Sequence, residues 1–261
     1  MVNKVVKVSY AEPNNQIAIV TLNRPENYNS LTVDVLDGLI EAAGVISTNS
    51  QVKAVILTGA GKFFSSGADF SIFEAAKNDD DVNNARRIGA KGSEVGRAWE
   101  AMPQPTIAAI EGGVVGGALG IAMALDWRVM GKGSYAYVSE VLVGVNFGWG
   151  SLPRLNNLVG PAKAKLMSIF CKKHKADECL AWGLADYVTD NGATMDKAME
   201  MAEEICALPR LPVQLIKRGI NATANVTNTA TSFADLEDLL LCFTDQEANQ
   251  FREQTLKSIK K

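Results

Sequence analysis

The sequence predicts a mixed α/β fold that gives way to a helical C-terminal region. Three observations support this. Short apolar runs alternate with helix-period segments through the first two-thirds of the chain, glycine clusters follow two of those runs, and from Pro161 onward the pattern is almost entirely helical. The 261 residues are 47% hydrophobic and 21% charged, which supplies a core for one or two domains and excludes a wholly disordered chain.

Residues 16–22 (QIAIVTL) read as a strand, bounded by Pro13-Asn14-Asn15 and Asn23-Arg24-Pro25. Thr32 is placed to cap a helix whose apolar stripe is Val33, Leu36, Leu39, Ile40, Ala43 and Ile46. Ala54-Val55-Ile56-Leu57 is a run of the buried-strand type, turned by Gly59-Ala60-Gly61. Residues 63–69 (FFSSGAD) form a small-residue loop, and residues 78–81 a polar surface stretch. A helix is expected over about 82–101, ended by Pro103 and Pro105. Strands are expected at 106–110, 126–130 and 136–138, a glycine-rich turn into an apolar helix at 112–120, and an irregular loop at 144–153. The change from mixed to all-helical pattern near residue 195 divides the chain into a core, 1–195, and a helical region, 196–261.

Charge and residue counts exclude several functions. Twenty-six Lys and Arg against 29 Asp and Glu give a net charge of −3, so no whole-chain attraction draws the protein to nucleic acid or to an anionic membrane. Cysteines 171, 179, 206 and 242 contain no CxxC pair, and reduced thiols are the expectation. The first ten residues do not read as a signal peptide, and the last four are not a Ser-Lys-Leu address. The most apolar window, 112–125, falls short of the roughly 20 residues of a membrane span. A cytoplasmic protein is expected. The single histidine, His174, lies in Lys172-Lys173-His174-Lys175 and is expected in a solvated turn, so a Ser-His-Asp triad or a histidine metal site is not supported and no metal is expected. Acid–base chemistry falls to a carboxylate, Tyr, Lys or Cys.

Gly59-Ala60-Gly61-Lys62 lacks the spacing of a phosphate loop, and the glycines at 112, 113, 116, 117 and 120 fail the dinucleotide pattern. The sequons at Asn221 and Asn225 carry no meaning without secretion. Two segments do point to chemistry. Ser65-Ser66-Gly67-Ala68-Asp69 follows a strand, and Gly116-Gly117-Ala118 opens a helix. Small residues admit a ligand close to the backbone, and a helix start presents free N–H groups. Taken alone, the residues favour two tight turns in a packed fold; the alternative is a pair of amides forming an oxyanion hole.

Taken in order, these motifs resemble the crotonase, or enoyl-CoA hydratase/isomerase, superfamily over nearly the whole chain. Asn23-Arg24-Pro25 is similar to the family's N-R-P. The segments 54–59 (AVILTG) and 63–69 are similar to its strand and first oxyanion loop, and 108–117 (AAIEGGVVGG) to its second. Ser139-Glu140-Val141-Leu142-Val143-Gly144 looks like P-E-x-x-x-G, and Gly183-Leu184-Ala185-Asp186 falls where the family has G-L-V. The resemblance implies a spiral of β-β-α units with a helical C-terminal trimerisation region. It also implies homotrimers or dimers of trimers, and an acyl-CoA thioester substrate with coenzyme A as part of the substrate and no tightly bound cofactor.

The resemblance further implies that the thioester oxygen sits between the N–H groups of Ser66 and Gly117, with Ala68, Asp69, Gly116 and Gly120 around the substrate. Phe147 and Trp149 are candidates for the acyl pocket. Arg24, Lys62 and a neighbouring Lys257 are candidates for the coenzyme A phosphates. Family hydratases have two glutamates; here the first position is Gly120 and the second is Glu140. One base suffices for a Δ3,Δ2-enoyl-CoA isomerase, which takes a proton from C2 and returns it at C4, and Asp126-Trp127-Arg128 is similar to D-Y-R of the mitochondrial isomerase branch. The alternatives are a hydratase or lyase variant with a substitute acid such as Glu111, a residue that a structural or helix-end role suits better, and a non-catalytic acyl-CoA-binding homologue. The dehalogenase branch needs an aspartate nucleophile where this chain has Asn146-Phe147-Gly148-Trp149.

Overall fold

The structure, a computed structural model, describes residues 4–69, 71–72 and 81–259; residues 78–80 of the expected polar stretch lie outside them. The first elements are β1 (Val6–Tyr10), β2 (Ile17–Leu22), α1 (Val33–Thr48), β3 (Ala54–Gly59), α2 (Val82–Glu100), β4 (Thr106–Ile110), β5 (Gly113–Val115), α3 (Gly117–Ala122), β6 (Trp127–Gly131) and β7 (Tyr135–Tyr137). There follow α4 (Ser151–Phe170), β8 (Lys173–Lys175), α5 (Ala176–Trp182), β9 (Tyr187–Thr189) and α6 (Thr194–Cys206). The tail comprises α7 (Arg210–Ala224), α8 (Asn228–Ser232), α9 (Asp235–Thr244) and α10 (Gln246–Ile259). One sheet has the order β1-β2-β3-β4-β6-β9, parallel except for the β1–β2 pair; the second has the order β5-β7-β8.

The run at 54–57 is apolar throughout because both of its faces are covered. Val55 and Leu57 face one core with Leu36, Leu39, Trp99 and Ile110. Ala54 and Ile56 face the other, where Ala198, Met201 and Ala202 of α6 close the sheet with Ile107 and Val129. The Thr32 hydroxyl accepts from the Val35 N–H and caps α1 as its sequence predicts. Trp99 of α2 donates its Nε1–H to the Leu39 carbonyl at 3.1 Å, which fixes α2 against α1.

The tail is bonded to the core through polar groups. Lys217 of α7 is buried and donates to Asp126 Oδ2 at 2.6 Å and to the Gln104 carbonyl at 2.8 Å. Asp126 also accepts from the Thr106 N–H at 2.7 Å, so one carboxylate ties β4 to α7. Burial pushes the Lys217 ammonium down, and Asp126 beside it offsets part of that. Leu211, Ile216 and Ile220 on the same helix are exposed.

Two expectations are corrected here. His174 is not in a solvated turn: it is 3% exposed, at the middle of β8 opposite Ala136, against the Trp182 ring. Alternation turns the flanking lysines outward and the imidazole inward. The chain after Pro161 is also not purely helical, because β8 and β9 interrupt it and each completes a sheet.

Candidate active site

The site forms where two loops run against one another. After β3, residues 63–69 lie along β5: Phe64 N–H donates to the Glu111 carbonyl at 2.7 Å, Ser65 N–H to Gly113 at 3.2 Å, and Val115 N–H back to Ser65 at 3.1 Å. On the other side the loop meets residues 28–31. Ser66 N–H donates to the Tyr28 carbonyl at 2.9 Å, Leu31 N–H to Gly67, and Asp69 N–H to Leu31. Gly67 N–H is taken by Ser65 Oγ at 3.2 Å. From 64 to 69 only the Ala68 N–H donates to no group among the described residues.

This corrects the expectation for Ser66. Its amide is spent on Tyr28, so the free donor of the first loop is Ala68. The second candidate donor is Gly117. Gly117 is the first residue of α3, its N–H has no intrahelical acceptor, and the helix in which it lies is wholly buried. Ala68 and Gly117 border the same cavity. The loops approach so closely that a Cβ on Gly67 would meet the Val115 carbonyl at 2.5 Å and lie 3.6 Å from the Gly117 nitrogen.

Glu140 lies on the same cavity, at the start of a single 3-10 turn, Glu140–Val143. Its carboxylate lies against Gly116, where a Cβ would sit 2.5 Å from Oε1. Oε2 is buried without a hydrogen-bond partner, so the exposure the residue retains lies away from that oxygen. Burial pushes the carboxyl up to about 7, and the backbone N–H groups of Glu140 and Ser139 offset only part of the effect. A carboxyl group poised near neutrality beside two unspent amides suits proton transfer next to a developing oxyanion.

Phe147 and Trp149 also border the cavity, with their neighbour Asn146 and with residues that no motif marks, among them Ser93 of α2 and Asp235 and Leu236 of α9. Asp235 Oδ2 accepts the Gly150 N–H at 2.6 Å, and its carbonyl accepts from Asn146 Nδ2 at 3.1 Å, so α9 holds the loop after Glu140 in place. Only the amphipathic pattern of the tail hinted that α9 packs inward.

Several expected site residues are elsewhere. The Asp69 carboxylate accepts from Ser30 Oγ at 2.9 Å and from the Ser71 N–H at 3.0 Å, away from the cavity wall. Burial works to raise its pKa, but those hydrogen bonds and Arg24 outweigh it and hold the group below the usual carboxylate range. Arg24 points inward onto the Ser30 carbonyl and hydroxyl, both at 2.8 Å, so its guanidinium is not presented to a phosphate. Gly120 also does not border the cavity: a Cβ there would fall 2.2 Å from Ser151 Oγ. Glu111 caps α6, accepting from the Gly192 N–H at 2.9 Å and the Thr194 N–H at 3.4 Å, which removes it as a substitute acid. Lys62 and Lys257 are exposed. Among the described residues no group of three or more His, Cys, Asp or Glu side chains could hold a metal, and no helix is long and apolar enough to cross a membrane.

A buried carboxyl group on the same cavity as a pair of unspent backbone amides is an arrangement able to move a proton beside a developing oxyanion. Comparison with known proteins agrees. The family model described as Enoyl-CoA hydratase/isomerase matches residues 12–258. A short-chain-enoyl-CoA hydratase of Clostridium acetobutylicum is 35% identical over 238 residues, covering 90% of this chain and 89% of its own. The crystal structure of an enoyl-CoA hydratase/isomerase from Xanthobacter autotrophicus Py2 matches with a TM-score of 0.82 at 27% identity, over 91% of this chain and 87% of that one. A monofunctional enoyl CoA isomerase from M. smegmatis matches with a TM-score of 0.71 at 27% identity, over 85% and 95%. The chain belongs to the enoyl-CoA hydratase/isomerase family of enzymes, within the crotonase superfamily.

Proposed function

We propose that the protein is a Δ3,Δ2-enoyl-CoA isomerase that uses Glu140 as its one acid–base group. The observation that supports this best is the asymmetry of the site. One carboxyl group near neutral pKa faces the cavity, while the space at Gly120, where family hydratases have their first glutamate, is filled by Ser151. The thioester oxygen accepts from the Ala68 and Gly117 N–H groups. Glu140 takes a proton from C2, the electron pair spreads over the thioester as a dienolate, and the same carboxyl returns the proton at C4. Each amide that strengthens its bond to the oxyanion contributes about 2.7–4 kcal/mol to lowering the barrier. Hydration instead needs a carboxylate to hold the incoming water; Glu111 is committed to α6, and Asp235, the other carboxylate on the cavity wall, is committed to the Gly150 N–H. Of the cations expected at the phosphates of coenzyme A, Lys62 and Lys257 are exposed, the latter 3.8 Å from Glu253.

A paired assay tests this reading. With 3-enoyl-CoA, conversion to the 2-enoyl form without water addition is expected; with 2-enoyl-CoA, hydration at least a hundredfold slower. Efficient hydration of 2-enoyl-CoA would replace the isomerase assignment with a hydratase one. In that case Ser151 Oγ and Asn146 Oδ1, both buried and without partners, are the groups to test for holding water.

The assembly we propose is a homotrimer or a dimer of trimers. It is supported by the exposed Leu211, Leu215, Ile216 and Ile220, which place an apolar face on α7. Light scattering at micromolar concentration is expected to give three or six times the mass of the 28.0 kDa chain; a monomer would refute it.

A further inference from the structure

One indole divides the space behind the reacting groups. The Trp149 ring lies between α3 and α2. On one side a Cβ on Gly117 would fall 2.3 Å from Cζ3, and on the other a Cβ on Gly92 would fall 1.9 Å from Cδ2. Only glycine at both positions leaves the slot open. The backbone of Trp149 has a φ of 61°, a region that bulky residues rarely adopt. Neighbours hold it there: Arg154 Nη1 donates to the Trp149 carbonyl at 3.1 Å and to the Gly150 carbonyl at 3.2 Å. The same guanidinium is paired with Glu100, and Asp235 holds the Gly150 N–H.

On the near side of the ring lies the reaction cavity with Ala68, Gly117, Glu140 and Phe147, about 50 Å³ in volume. That is room for about two water- or methylene-sized groups. On the far side is a second cavity of about 190 Å³, bordered by Arg97, Glu100, Arg154, Asn228 and Ser232. Trp149, Ser93, Asp235 and Leu236 border both. The far cavity is no continuation for an alkyl chain, because seating one there strips water from the Arg154–Glu100 pair.

We propose that Trp149 ends the acyl pocket and confines the substrate to thioesters of short acyl groups, about four to five carbons. The proposal rests on the acyl-CoA reading above and names the substrate class of that site. With the carbonyl oxygen between Ala68 and Gly117 and C2 beside Glu140, the remaining carbons fill the near cavity and meet the indole.

The test is a chain-length series. kcat/KM is measured for enoyl-CoA substrates of four, six, eight and ten carbons with the wild type, Trp149→Ala and Trp149→Phe. Kd values for the saturated four- and eight-carbon acyl-CoA esters serve as a readout independent of turnover. The wild type is expected to lose at least tenfold in kcat/KM between four and eight carbons. Trp149→Ala is expected to raise the eight-to-four-carbon ratio at least tenfold, in kcat/KM or in affinity, with Trp149→Phe between the two. A wild type indifferent to chain length overturns the proposal, and so does an unchanged ratio in both folded variants; either result leaves the acyl-CoA reading standing. A wild type that neither binds nor converts any ester in the series refutes that reading and the proposal together.

Discussion

Replacing Glu140 with glutamine is expected to lower kcat/KM for the 3-enoyl-CoA reaction by between about a hundredfold and ten-thousandfold, the usual share of a positioned acid–base group. The same substitution is expected to make the protein more stable at pH 8. Both effects come from one cause. The carboxyl is raised from 4.5 to about 7 because folding removes it from water, with Oε2 left unpartnered. Between those two values the folded chain holds a proton that the unfolded chain has lost, so the contribution of this group to stability is fully present below pH 4.5 and lost as pH rises through 7. Above pH 7 the loss is roughly 3 kcal/mol. A neutral amide avoids most of it.

Urea midpoints of the wild type and the Glu140→Gln variant across pH 4–9 measure the effect directly. The difference is expected to open between pH 4.5 and 7 and to level off above. The activity of the wild type runs the opposite way. In the proposed reaction the base must be ionised to take the C2 proton, so kcat/KM is expected to rise with pH through an apparent pKa near 7 and then reach a plateau. A variant that keeps more than a tenth of wild-type activity, or a stability difference that does not change with pH, would remove Glu140 from the base role.

The parts of this site that were legible in the sequence are those where composition answers a local backbone demand. The small-residue loop, the glycines before α3 and the buried-strand runs fall where they are expected because each constrains only its own segment. The choice between Ser66 and Ala68 did not have that character. Both are small residues in one loop, and what separates them is a hydrogen bond to Tyr28, nearly forty residues earlier in the chain. The inward turn of Arg24 has the same cause: its guanidinium is bonded to Ser30, which no local pattern reveals, whereas the turn contact of Asp69 with the Ser71 N–H is local and suits an aspartate in a small-residue loop. Asp235 was unreadable because an aspartate at the start of an amphipathic helix has the same appearance whether it faces water or holds a catalytic loop. His174 is buried for a reason that is equally remote in sequence. Lys172, Lys173 and Lys175 surround it with charge, and its burial comes from the β8–β7 pairing opposite Ala136 and from the Trp182 ring.

Replacing Gly116 with alanine is expected to disable the enzyme as fully as removing the carboxylate, although residue 116 contributes no side chain to the chemistry. Gly116 has φ 51° and ψ −125°, a backbone conformation that a residue with a Cβ resists at a cost of about 1–3 kcal/mol. Its N–H is bonded to the Tyr137 carbonyl at 2.8 Å, and the next residue carries the amide proposed for the oxyanion, so the strain cannot relax without moving Gly117. The added methyl would also stand 2.5 Å from Glu140 Oε1, inside contact distance, and push the base out of its place. Gly44 provides the contrast. It lies inside α1 with nothing within 4 Å of where its Cβ would be, and Gly44→Ala is expected to stabilise the protein by roughly 0.5–1 kcal/mol with full activity. If Gly116→Ala folds and turns over 3-enoyl-CoA at wild-type rate, the placement of Glu140 against this glycine is wrong. If it folds and binds the saturated ester but has lost turnover, the close approach of base and backbone is what sets the geometry of proton transfer.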